Sequence, residues 1–553
     1  MILFDINRTI KGFTKDIRVY FLLFIFFGFF GAVLYNFYIL QIEKNAYYSA
    51  QAADQLEAGL RDKLIRGRIY FQDQKENRII AVYNKEFPII YAVPQKIQNP
   101  SETAYQLSQA LKIDEEQLKK LLSKAGDLYE VILKKADQEQ VKIIKSLNLK
   151  GVEVGQEPIR YASFGNLASQ AIGFVGPSAE DQELKGRYGI EALYDDELKK
   201  GDVDLVLTID RNIQLRSQAI LKNLVDNFKA KGGSIIVEEA KTGKILAMAN
   251  MPDFDINEYG KFPLTSFSNP AIQALYEPGS VVKPITMAIG LDSGKLTPNT
   301  TYFDNGSIKI ADRLIENWDK RAYGKITMTQ VLEHSVNTGA VFAQRLIGPD
   351  IFYNYLVKFG FNGKTGIDLP SEIKGNLNNL KKSFSEVNFA TASFGQGISL
   401  TPLELINAVS AIANKGFLMK PYIVERRIWA DGKEVVTKPE IVRRIIAEQT
   451  AEQLTQMMIS AVRAGKLAMI PSYEIAGKTG TAQVPDLVNK GYTNEVINTY
   501  VGFAPASQPY FVVLIKLDQP VGAPLSGISV VPAFKELTQF ILNYLEVPPD
   551  LVE

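Results

Sequence analysis

The most apolar stretch of the chain lies near its N-terminus. Residues 19–40 carry no charge and are rich in Phe, Leu and Ile. A helix of this length spans the roughly 30 Å hydrocarbon core of a bilayer. Four basic side chains precede it, Arg8, Lys11, Lys15 and Arg18. The pattern predicts a single transmembrane anchor at 19–40, with residues 1–18 in the cytoplasm and everything after Gln41 outside it.

A cleaved signal peptide is the alternative for this segment, because Ala50-Gln51-Ala52 resembles a small-x-small cleavage site. The apolar run is longer than the roughly 7–15 residues of a signal core, and the candidate site lies well beyond its end. We therefore expect the anchor to be retained.

The pattern changes several times between residues 41 and 200. Residues 41–63 are polar and are predicted to leave the membrane as a helix that carries Tyr47, Leu56 and Leu60. Two β-type runs follow at 78–83 and 87–93, with turn residues between them. Helical spacing then begins, and amphipathic helices are predicted to open around Asp114 and Asp137. We interpret 41–200 as a spacer or docking domain without catalytic residues.

Beyond residue 200 helical and strand patterns interleave. A strand at 203–210 ends at Asp210, which can cap the helix that follows. Residues 234–237 and 245–249 form a hairpin-like pair around Lys241-Thr242-Gly243. These patterns predict one large α/β or α+β domain at 201–546, followed by a short tail at 547–553.

Composition excludes several kinds of site. The 553 residues include 62 Lys and Arg against 61 Asp and Glu, so no overall field favours nucleic acid. The absence of cysteine excludes thiol nucleophiles, Cys-ligated zinc and disulfides. The one histidine, His334, excludes metal sites built on several histidines. A Ser-His-Asp triad would need His334, but no paired acid or Gly-x-Ser-x-Gly turn accompanies it.

Ser280 and Lys283 stand three residues apart in the sequence Tyr-Glu-Pro-Gly-Ser-Val-Val-Lys-Pro. If a helix begins near Ser280, this spacing stacks the lysine amine over the hydroxyl, one turn on. Gly279 permits a sharp entry, and Pro284 restricts the helix start to this point. Such a serine is a nucleophile if burial or a second cation keeps the amine neutral. A surface helix with an incidental Ser and Lys is the alternative.

Ser335 and Asn337 follow a helix predicted to begin at Thr327, because Thr327 and Gln330 match a capping box. Two polar residues with this spacing at a helix end can point into one cleft. The hydroxyl could relay a proton, and the carboxamide could hold a substrate amide. Two ordinary capping residues are the alternative.

Residues 473–483 form a predicted strand that becomes polar at Lys478-Thr479-Gly480-Thr481. Glycine in a strand lets another backbone approach closely, so a peptide could add to this strand. Lys478 would supply a positive charge, and the threonine hydroxyls suit a carboxylate. Lys-Thr-Gly also begins at Lys241 and Lys364, where we interpret it as a hairpin turn and a surface loop.

The motifs S-x-x-K, S-x-N and K-T-G, in this order, are known from penicillin-interacting serine enzymes. With them, the chain resembles class B penicillin-binding proteins over nearly its whole length. Asn317-Trp318-Asp319 is more similar to the division or sporulation branch than to the elongation branch. Other stretches that carry the resemblance are Arg66-Gly67-Arg68-Ile69, Gly189-Ile190-Glu191, Leu207-Thr208-Ile209-Asp210, Thr242-Gly243-Lys244-Ile245 and Gly395-Gln396-Gly397 with Thr401-Pro402.

The resemblance implies a multidomain α+β fold. We expect a single transmembrane helix, an elongated α/β pedestal of the dimerisation type at 41–200, and a transpeptidase domain at 201–546. The latter would have an antiparallel sheet flanked by helices, similar to serine β-lactamases. The implied location is the bacterial cell membrane, with the catalytic domain outside the cytoplasm.

The resemblance also implies a D,D-transpeptidase that cross-links peptidoglycan stem peptides during septal wall synthesis. Ser280 would attack the D-Ala-D-Ala carbonyl with Lys283 as base, and β-lactams would acylate the same serine. Ser335 would pass a proton to the leaving amine, and Asn337 would hold the acyl chain's amide. Lys478, which shapes the local field, completes the implied catalytic residues. The implied substrate-binding residues are Thr479 and Thr481, which bind the carboxylate, and Gly480 between them.

No cofactor or metal is implied. The implied partners are a polytopic membrane glycosyltransferase and other division proteins. The alternatives are an elongation- or sporulation-specific transpeptidase, a D,D-carboxypeptidase, a β-lactamase or β-lactam sensor, and a non-catalytic division scaffold.

Overall fold

The structure, a computed structural model, describes residues 6–44, 66–124, 126–178, 183–381, 385–486, 489 and 491–551. Its α-helices are α1 (Ile6–Tyr38), α2 (Pro100–Leu111), α3 (Glu115–Leu122), α4 (Gln138–Leu147), α5 (Ser169–Ile172), α6 (Gly189–Leu193), α7 (Asp195–Leu198), α8 (Arg211–Phe228), α9 (Pro270–Gln273), α10 (Lys283–Asp292), α11 (Met328–Glu333), α12 (Asn337–Ile347), α13 (Pro349–Lys358), α14 (Asn378–Lys381), α15 (Glu386–Ala392), α16 (Pro402–Ala413), α17 (Glu448–Gly465) and α18 (Val530–Tyr544).

The strands are β1 (Ile69–Gln72), β2 (Ile79–Ala92), β3 (Glu130–Leu133), β4 (Val152–Ala162), β5 (Val175–Pro177), β6 (Leu184–Gly186), β7 (Val203–Asp210), β8 (Gly232–Glu239), β9 (Ile245–Met251), β10 (Thr301–Asp304), β11 (Ser307–Ile310), β12 (Arg313–Glu316), β13 (Gly324–Thr327), β14 (Phe417–Met419), β15 (Val424–Trp429), β16 (Glu434–Val436), β17 (Ile441–Arg444), β18 (Ala476–Pro485), β19 (Tyr492–Ala504) and β20 (Phe511–Asp518).

Helix α1 contains the predicted membrane anchor. Its apolar part continues into a π-helical turn, and the window Tyr20–Gln41 has a mean hydropathy of 2.0 and buries none of its surface. The apolar window is long enough to cross a bilayer and fits a single-pass anchor. The helix predicted to follow it, with Tyr47, Leu56 and Leu60, lies outside the described residues.

The chain divides into two compact units, of which the smaller contains α2, α3 and α4. These helices bury Leu107, Leu118 and Ile144 in a core of their own. The side chains of Asp114 and Asp137 accept hydrogen bonds from backbone N–H groups of the first turns of α3 and α4, which confirms the predicted helix starts. The larger unit comprises residues 66–86 and those from 159 onward. The boundary expected near residue 200 stays a prediction.

The two β-type runs predicted at 78–83 and 87–93 are one continuous strand, β2. We expected a turn between them, and this expectation is wrong. Asn84 remains in the strand because its side chain is bonded on both sides. Its Nδ2 donates to the carbonyl of Arg66 at 2.9 Å, and its Oδ1 accepts from Arg160 at 3.3 Å.

The larger unit is built around a five-stranded antiparallel sheet in the order β18-β19-β20-β8-β9. Successive residues of its central strands face opposite sides, so Ile235 and Val237 join one core and Ile236 joins the other. Helices α8 and α18 cover one face, and the fully buried α16 lies on the other. This confirms the predicted antiparallel sheet flanked by helices, including the hairpin of β8 and β9.

Strand β7 and helix α8 follow each other as predicted. The carboxylate of Asp210 accepts hydrogen bonds from the N–H groups of Asn212 and Ile213, and so caps α8.

Upstream, the buried carboxylate of Glu191 pairs with two arginines, Arg66 at 2.8 Å and Arg160 at 2.7 Å. The motifs Arg66-Gly67-Arg68 and Gly189-Ile190-Glu191 thus form one ion-pair network in the larger unit.

Candidate active site

Ser280 lies in a single 3-10 turn, Gly279–Val282, that leads directly into α10. The helix start predicted here is confirmed, and Pro284 stands in the first turn of α10, where proline costs no hydrogen bond. The Ser280 hydroxyl is half-buried and makes no hydrogen bond to the described residues. The Lys283 amine, which we predicted to stack over this hydroxyl, makes no hydrogen bond to it. Its hydrogen bonds go to Ser335 and Asn337 instead.

Close backbone packing holds the serine turn in place. Gly279 has φ +63°, and its N–H donates to the carbonyl of Gly395 at 3.1 Å. A Cβ on Gly395 would lie 2.2 Å from the Gly279 oxygen, so no other residue fits there. On its other side, a Cβ on Gly279 would lie 3.1 Å from the Cβ of Ala482 in β18. The turn is thus fixed between β18 and the Gly395 loop.

The S-x-N motif lies between α11 and α12. Thr327 and Gln330 form the predicted capping box at the start of α11. Ser335 has φ +54°, an uncommon conformation for a residue with a side chain, and Asn337 is the first residue of α12. The sharp turn between the helices directs both side chains towards Lys283, as the predicted shared cleft requires.

Lys283 is fully buried and bonded only to the S-x-N motif among the described residues. Its Nζ contacts the backbone carbonyl of Ser335, the Ser335 Oγ at 3.2 Å and the Asn337 Oδ1 at 2.8 Å. No carboxylate pairs with it in the described part of the chain. The two motifs predicted separately are therefore one cluster.

Lys478 enters the same cluster from β18, the edge strand of the sheet. Its Nζ lies 2.9 Å from the Ser335 Oγ, and 3.1 Å from both the carbonyl oxygen and the Oγ1 of Thr479. The Ser335 hydroxyl thus lies between two buried lysine amines. The three sequence motifs converge on this one oxygen atom.

Burial lowers the pKa of both lysines, and the charge of Lys478 lowers that of Lys283 further. The pKa of Lys283 is well below its ordinary value, first because burial removes water from the ammonium and second because of the charge of Lys478. Burial also lowers the pKa of Lys478, to about 7. A lysine amine with a pKa this far below its usual range can act as a base near neutral pH.

Thr479, Gly480 and Thr481 follow along the edge strand. We predicted that glycine in this strand lets another backbone approach closely. The backbone that approaches Gly480 belongs to the same chain, because a Cβ on Gly480 would lie 2.9 Å from the carbonyl oxygen of Pro278. The hydroxyl of Thr479 accepts from Lys478, and that of Thr481 is bonded to Ser526 in the loop after β20. All eight predicted site residues lie on the serine turn and the first residue of α10, on the S-x-N turn and the first residue of α12, or on this strand.

His334 takes no part in this cluster. It ends α11, and its ring stacks on Tyr323 at 4.7 Å between centroids. In the described part of the chain its ring has no acid partner, which agrees with the sequence argument against a triad. Its backbone carbonyl accepts a hydrogen bond from the indole N–H of Trp318 at 3.1 Å. Groups of three or more metal-ligating side chains are absent from the described residues.

Asn317 is a positioning residue that the sequence analysis missed. Helix α12 has no side-chain cap of its own, but the Asn317 Oδ1 accepts from the N–H groups of Asn337 and Thr338 at 3.1 and 3.2 Å. The Asn317 Nδ2 in turn donates to Asp304 at 2.9 Å. A cap supplied from 20 residues upstream leaves no local spacing signal, although Asn317 belongs to a stretch that carried the family resemblance.

Comparisons with known proteins identify the family of this chain. A family model described as "Penicillin binding protein transpeptidase domain" matches residues 233–539, and one described as "Penicillin-binding Protein dimerisation domain" matches residues 62–208. The chain belongs to the penicillin-binding proteins. The predicted family, class B, and the predicted enzyme class, transpeptidase, are thereby confirmed.

Individual relatives cover most of the chain. Stage V sporulation protein D of Bacillus subtilis (strain 168) is 32% identical over 86% of this chain and 78% of its own. A probable peptidoglycan D,D-transpeptidase, PenA, of Neisseria meningitidis is 27% identical over 83% of this chain and 82% of its own. Penicillin-binding protein 3 of Mycobacterium tuberculosis, solved in complex with aztreonam, is 25% identical with a TM-score of 0.68, over 88% of this chain and 98% of its own.

The first prediction concerns the pH dependence of serine acylation. Because a base must be unprotonated, acylation slows as the pH falls through the pKa of Lys283. Lys478 is charged below about pH 7, and its charge lowers the pKa of Lys283. Lys478→Gln should therefore raise the pKa of Lys283, so that the fall in acylation rate on the acid side of the pH profile begins at higher pH. The measurement is the rate of acylation by a fluorescent penicillin between pH 5 and 9.

The matched control for this profile is Lys516→Gln, which removes another buried lysine of the same sheet that pairs with Asp518. Its acid limb should coincide with that of the unaltered chain. An acid limb that stays in place in Lys478→Gln would contradict the proposed coupling of the two active-site lysines.

The second prediction concerns Asn317. Asn317→Ala removes the acceptor that fixes the first turn of α12, so acylation at saturating penicillin should slow about tenfold as Asn337 loses its position. The control is Asp210→Ala, because Asp210 also caps a helix through two backbone N–H groups, but that helix is α8. Both variants should lose similar stability in urea denaturation. Equal acylation rates in the two variants would refute a positioning role for Asn317.

Proposed function

We propose that this chain is a peptidoglycan D,D-transpeptidase in which Ser280 is the nucleophile and Lys283 its general base. The observation that carries this proposal is the convergence of Lys283 and Lys478 on the hydroxyl of Ser335, with Ser280 in the turn that leads directly to Lys283. Two amines without a carboxylate partner cannot both hold a proton at low cost in a buried site. One neutral amine beside a serine is the arrangement that activates a hydroxyl.

Two effects, burial and the charge of Lys478, lower the pKa of Lys283, whereas burial alone lowers that of Lys478, so we assign the neutral state to Lys283. The ammonium of Lys478 has three N–H bonds to give and three acceptors, the Ser335 Oγ and the two oxygens of Thr479. A neutral Lys283 gives its two N–H bonds to the Ser335 carbonyl and the Asn337 Oδ1. Its lone pair then remains for a proton from Ser280 or from Ser335.

The reaction begins when the Ser280 Oγ attacks the carbonyl carbon of the penultimate D-Ala of a stem peptide. Lys283 takes the hydroxyl proton, and the carbonyl oxygen becomes an oxyanion held by the backbone N–H groups of Ser280 and Thr481. Removing one such donor typically costs about 10²–10³ in rate. Gly279 supports this step because it lets the serine turn lie directly against Ala482 of β18.

The C–N bond to the terminal D-Ala then breaks, and the leaving amine needs a proton. The Ser335 hydroxyl lies within hydrogen-bonding distance of both lysines, so it can pass the proton held by Lys283 to that amine. Asn337 holds the acyl chain's amide, and Thr479 and Thr481 bind the terminal carboxylate beside Lys478. An amine of a second stem peptide then attacks the acyl carbon and gives a proton to Lys283. The ester bond to the Ser280 Oγ breaks, and Lys283 returns the proton to that oxygen.

A β-lactam presents a strained amide to the same serine, so we propose that it forms a stable acyl-enzyme here. The aztreonam complex of the Mycobacterium tuberculosis relative supports this part of the proposal.

Three other functions differ from this one in the fate of the acyl-enzyme or in its absence. A β-lactamase would release the adduct rapidly, and a D,D-carboxypeptidase would use water in place of the second amine. A non-catalytic scaffold is disfavoured because the nucleophile, the base and the relay residue are all present in one cluster.

We further propose that the N-terminus is cytoplasmic and the transpeptidase domain extracytoplasmic. The basic side chains that precede the apolar helix support this orientation.

Septal wall synthesis is the role we favour, with sporulation as the alternative that the relative from Bacillus subtilis supports. The partners would be a polytopic membrane glycosyltransferase and other division proteins, because a cross-linking enzyme needs a source of new glycan strands.

The third prediction tests the nucleophile. The full-length chain in detergent should gain the mass of one penicillin per chain, and Ser280→Ala should gain none, because only an attached oxygen can carry the acyl group. Ser293→Ala is the control, since Ser293 follows the last residue of α10 and, within the described part of the chain, its hydroxyl bonds only to carbonyls of that helix. Intact-mass spectrometry measures all three proteins.

An adduct that persists in Ser280→Ala would place the nucleophile elsewhere. No adduct on the folded, unaltered chain would favour the scaffold, and an adduct that is lost within seconds would favour a β-lactamase. Cross-linking of two stem peptides by the unaltered chain, compared with release of D-Ala alone, separates a transpeptidase from a carboxypeptidase.

A further inference from the structure

The loop at residues 519–529, between β20 and α18, reaches the substrate side of the edge strand. At this point the Ser526 side chain meets Thr481. The two hydroxyl oxygens lie 3.0 Å apart, and the backbone N–H of Ser526 also donates to the Thr481 Oγ1 at 3.1 Å. Ser526 is 3% exposed, and its Oγ has Thr481 as its hydrogen-bond partner within the described part of the chain.

The loop is fastened to the strand beside β18. Asn498 pairs directly with Thr481 in the antiparallel ladder of β18 and β19. Its Nδ2 donates to the Ala523 carbonyl at 2.8 Å and to the Ser529 Oγ at 3.0 Å, on either side of Ser526. The Ser526 carbonyl also accepts from the N–H of Val531 at 3.2 Å, at the start of α18. Ser526 is therefore held rigidly against Thr481.

A hydroxyl group has one proton to donate and two lone pairs that accept. The Ser526 N–H occupies one lone pair of the Thr481 Oγ1. If the Ser526 O–H donates as well, both lone pairs are filled and the Thr481 proton must point away, into the cleft. If Thr481 donates to Ser526 instead, a lone pair faces the cleft and repels an anion.

Thr479 offers a comparison within the same strand. Its Oγ1 accepts a hydrogen bond from Lys478, so its own proton is also free to point outward. Each of the two threonines therefore receives a donor from the protein. For Thr479 this donor is a lysine of the recognised motif, and for Thr481 it is a residue outside every motif.

We propose that Ser526 is a positioning residue that turns the Thr481 hydroxyl proton towards the terminal carboxylate of the acyl donor. This inference rests on the proposed function, in which Thr481 binds that carboxylate. Ser526 itself does not touch the substrate. Its effect is confined to ligands that carry a negative charge at this position, which distinguishes it from a residue that merely stabilises the loop.

The test compares two ligands on the full-length chain in detergent. Benzylpenicillin carries the carboxylate, and its methyl ester does not. In Ser526→Ala the second-order rate of acylation by benzylpenicillin should fall about fivefold, the scale of one lost hydrogen bond, and the rate with the ester should change less than twofold. Intact-mass spectrometry at a series of times gives both rates.

Ser529→Ala is the matched control, because Ser529 lies in the same turn and binds Asn498 rather than Thr481. It should leave the ratio of the two rates unchanged. Ser526→Thr, which keeps a hydroxyl, should restore the ratio of the unaltered chain.

An equal loss with both ligands in Ser526→Ala, or no loss with either, would overturn the proposal. So would an unaltered chain that acylates equally fast with acid and ester, because the carboxylate would then not be recognised. Absence of any Ser280 adduct on the unaltered chain would instead refute the proposed function, so the two failures are distinguishable.

Discussion

The active site depends on one electrostatic constraint, two buried lysine amines that share the hydroxyl of Ser335 without a carboxylate partner among the described residues. Burial penalises each ammonium, and a second charge beside it adds to the penalty. The pKa of Lys283 is accordingly lowered far from its usual value. The site can therefore keep an amine as a base near neutral pH.

The rest of the larger unit holds the groups of this cluster together. Ser280 and Lys283 stand at the start of a buried helix, Lys478 projects from an edge strand, and Ser335 lies in a left-handed turn between two helices. Because Gly279 and Gly480 have no side chain, the serine turn packs directly against β18. Asn317 and Ser526 then fix, from outside the motifs, the first turn of α12 and the hydroxyl of Thr481.

Local patterns predicted local structure well. The caps at Asp114, Asp137 and Asp210 and the capping box at Thr327 are confirmed, because each depends on residues within one turn. The turn expected within β2 was wrong, since the bonds that keep Asn84 in the strand come from distant residues. The three motifs were grouped as a known set, and the structure brings Lys283, Ser335 and Lys478 of that set together. Motif spacing could not reveal Asn317 or Ser526, whose contacts arise only when separate elements pack.

The central claim is that Lys283 is a neutral amine near neutral pH. It is tested most directly by NMR titration of the full-length chain labelled at lysine Cε, with Lys283→Arg to assign the signal. The account predicts a signal that titrates far below the ordinary lysine value of about 10.4. Titration of Lys283 together with the exposed lysines would contradict it.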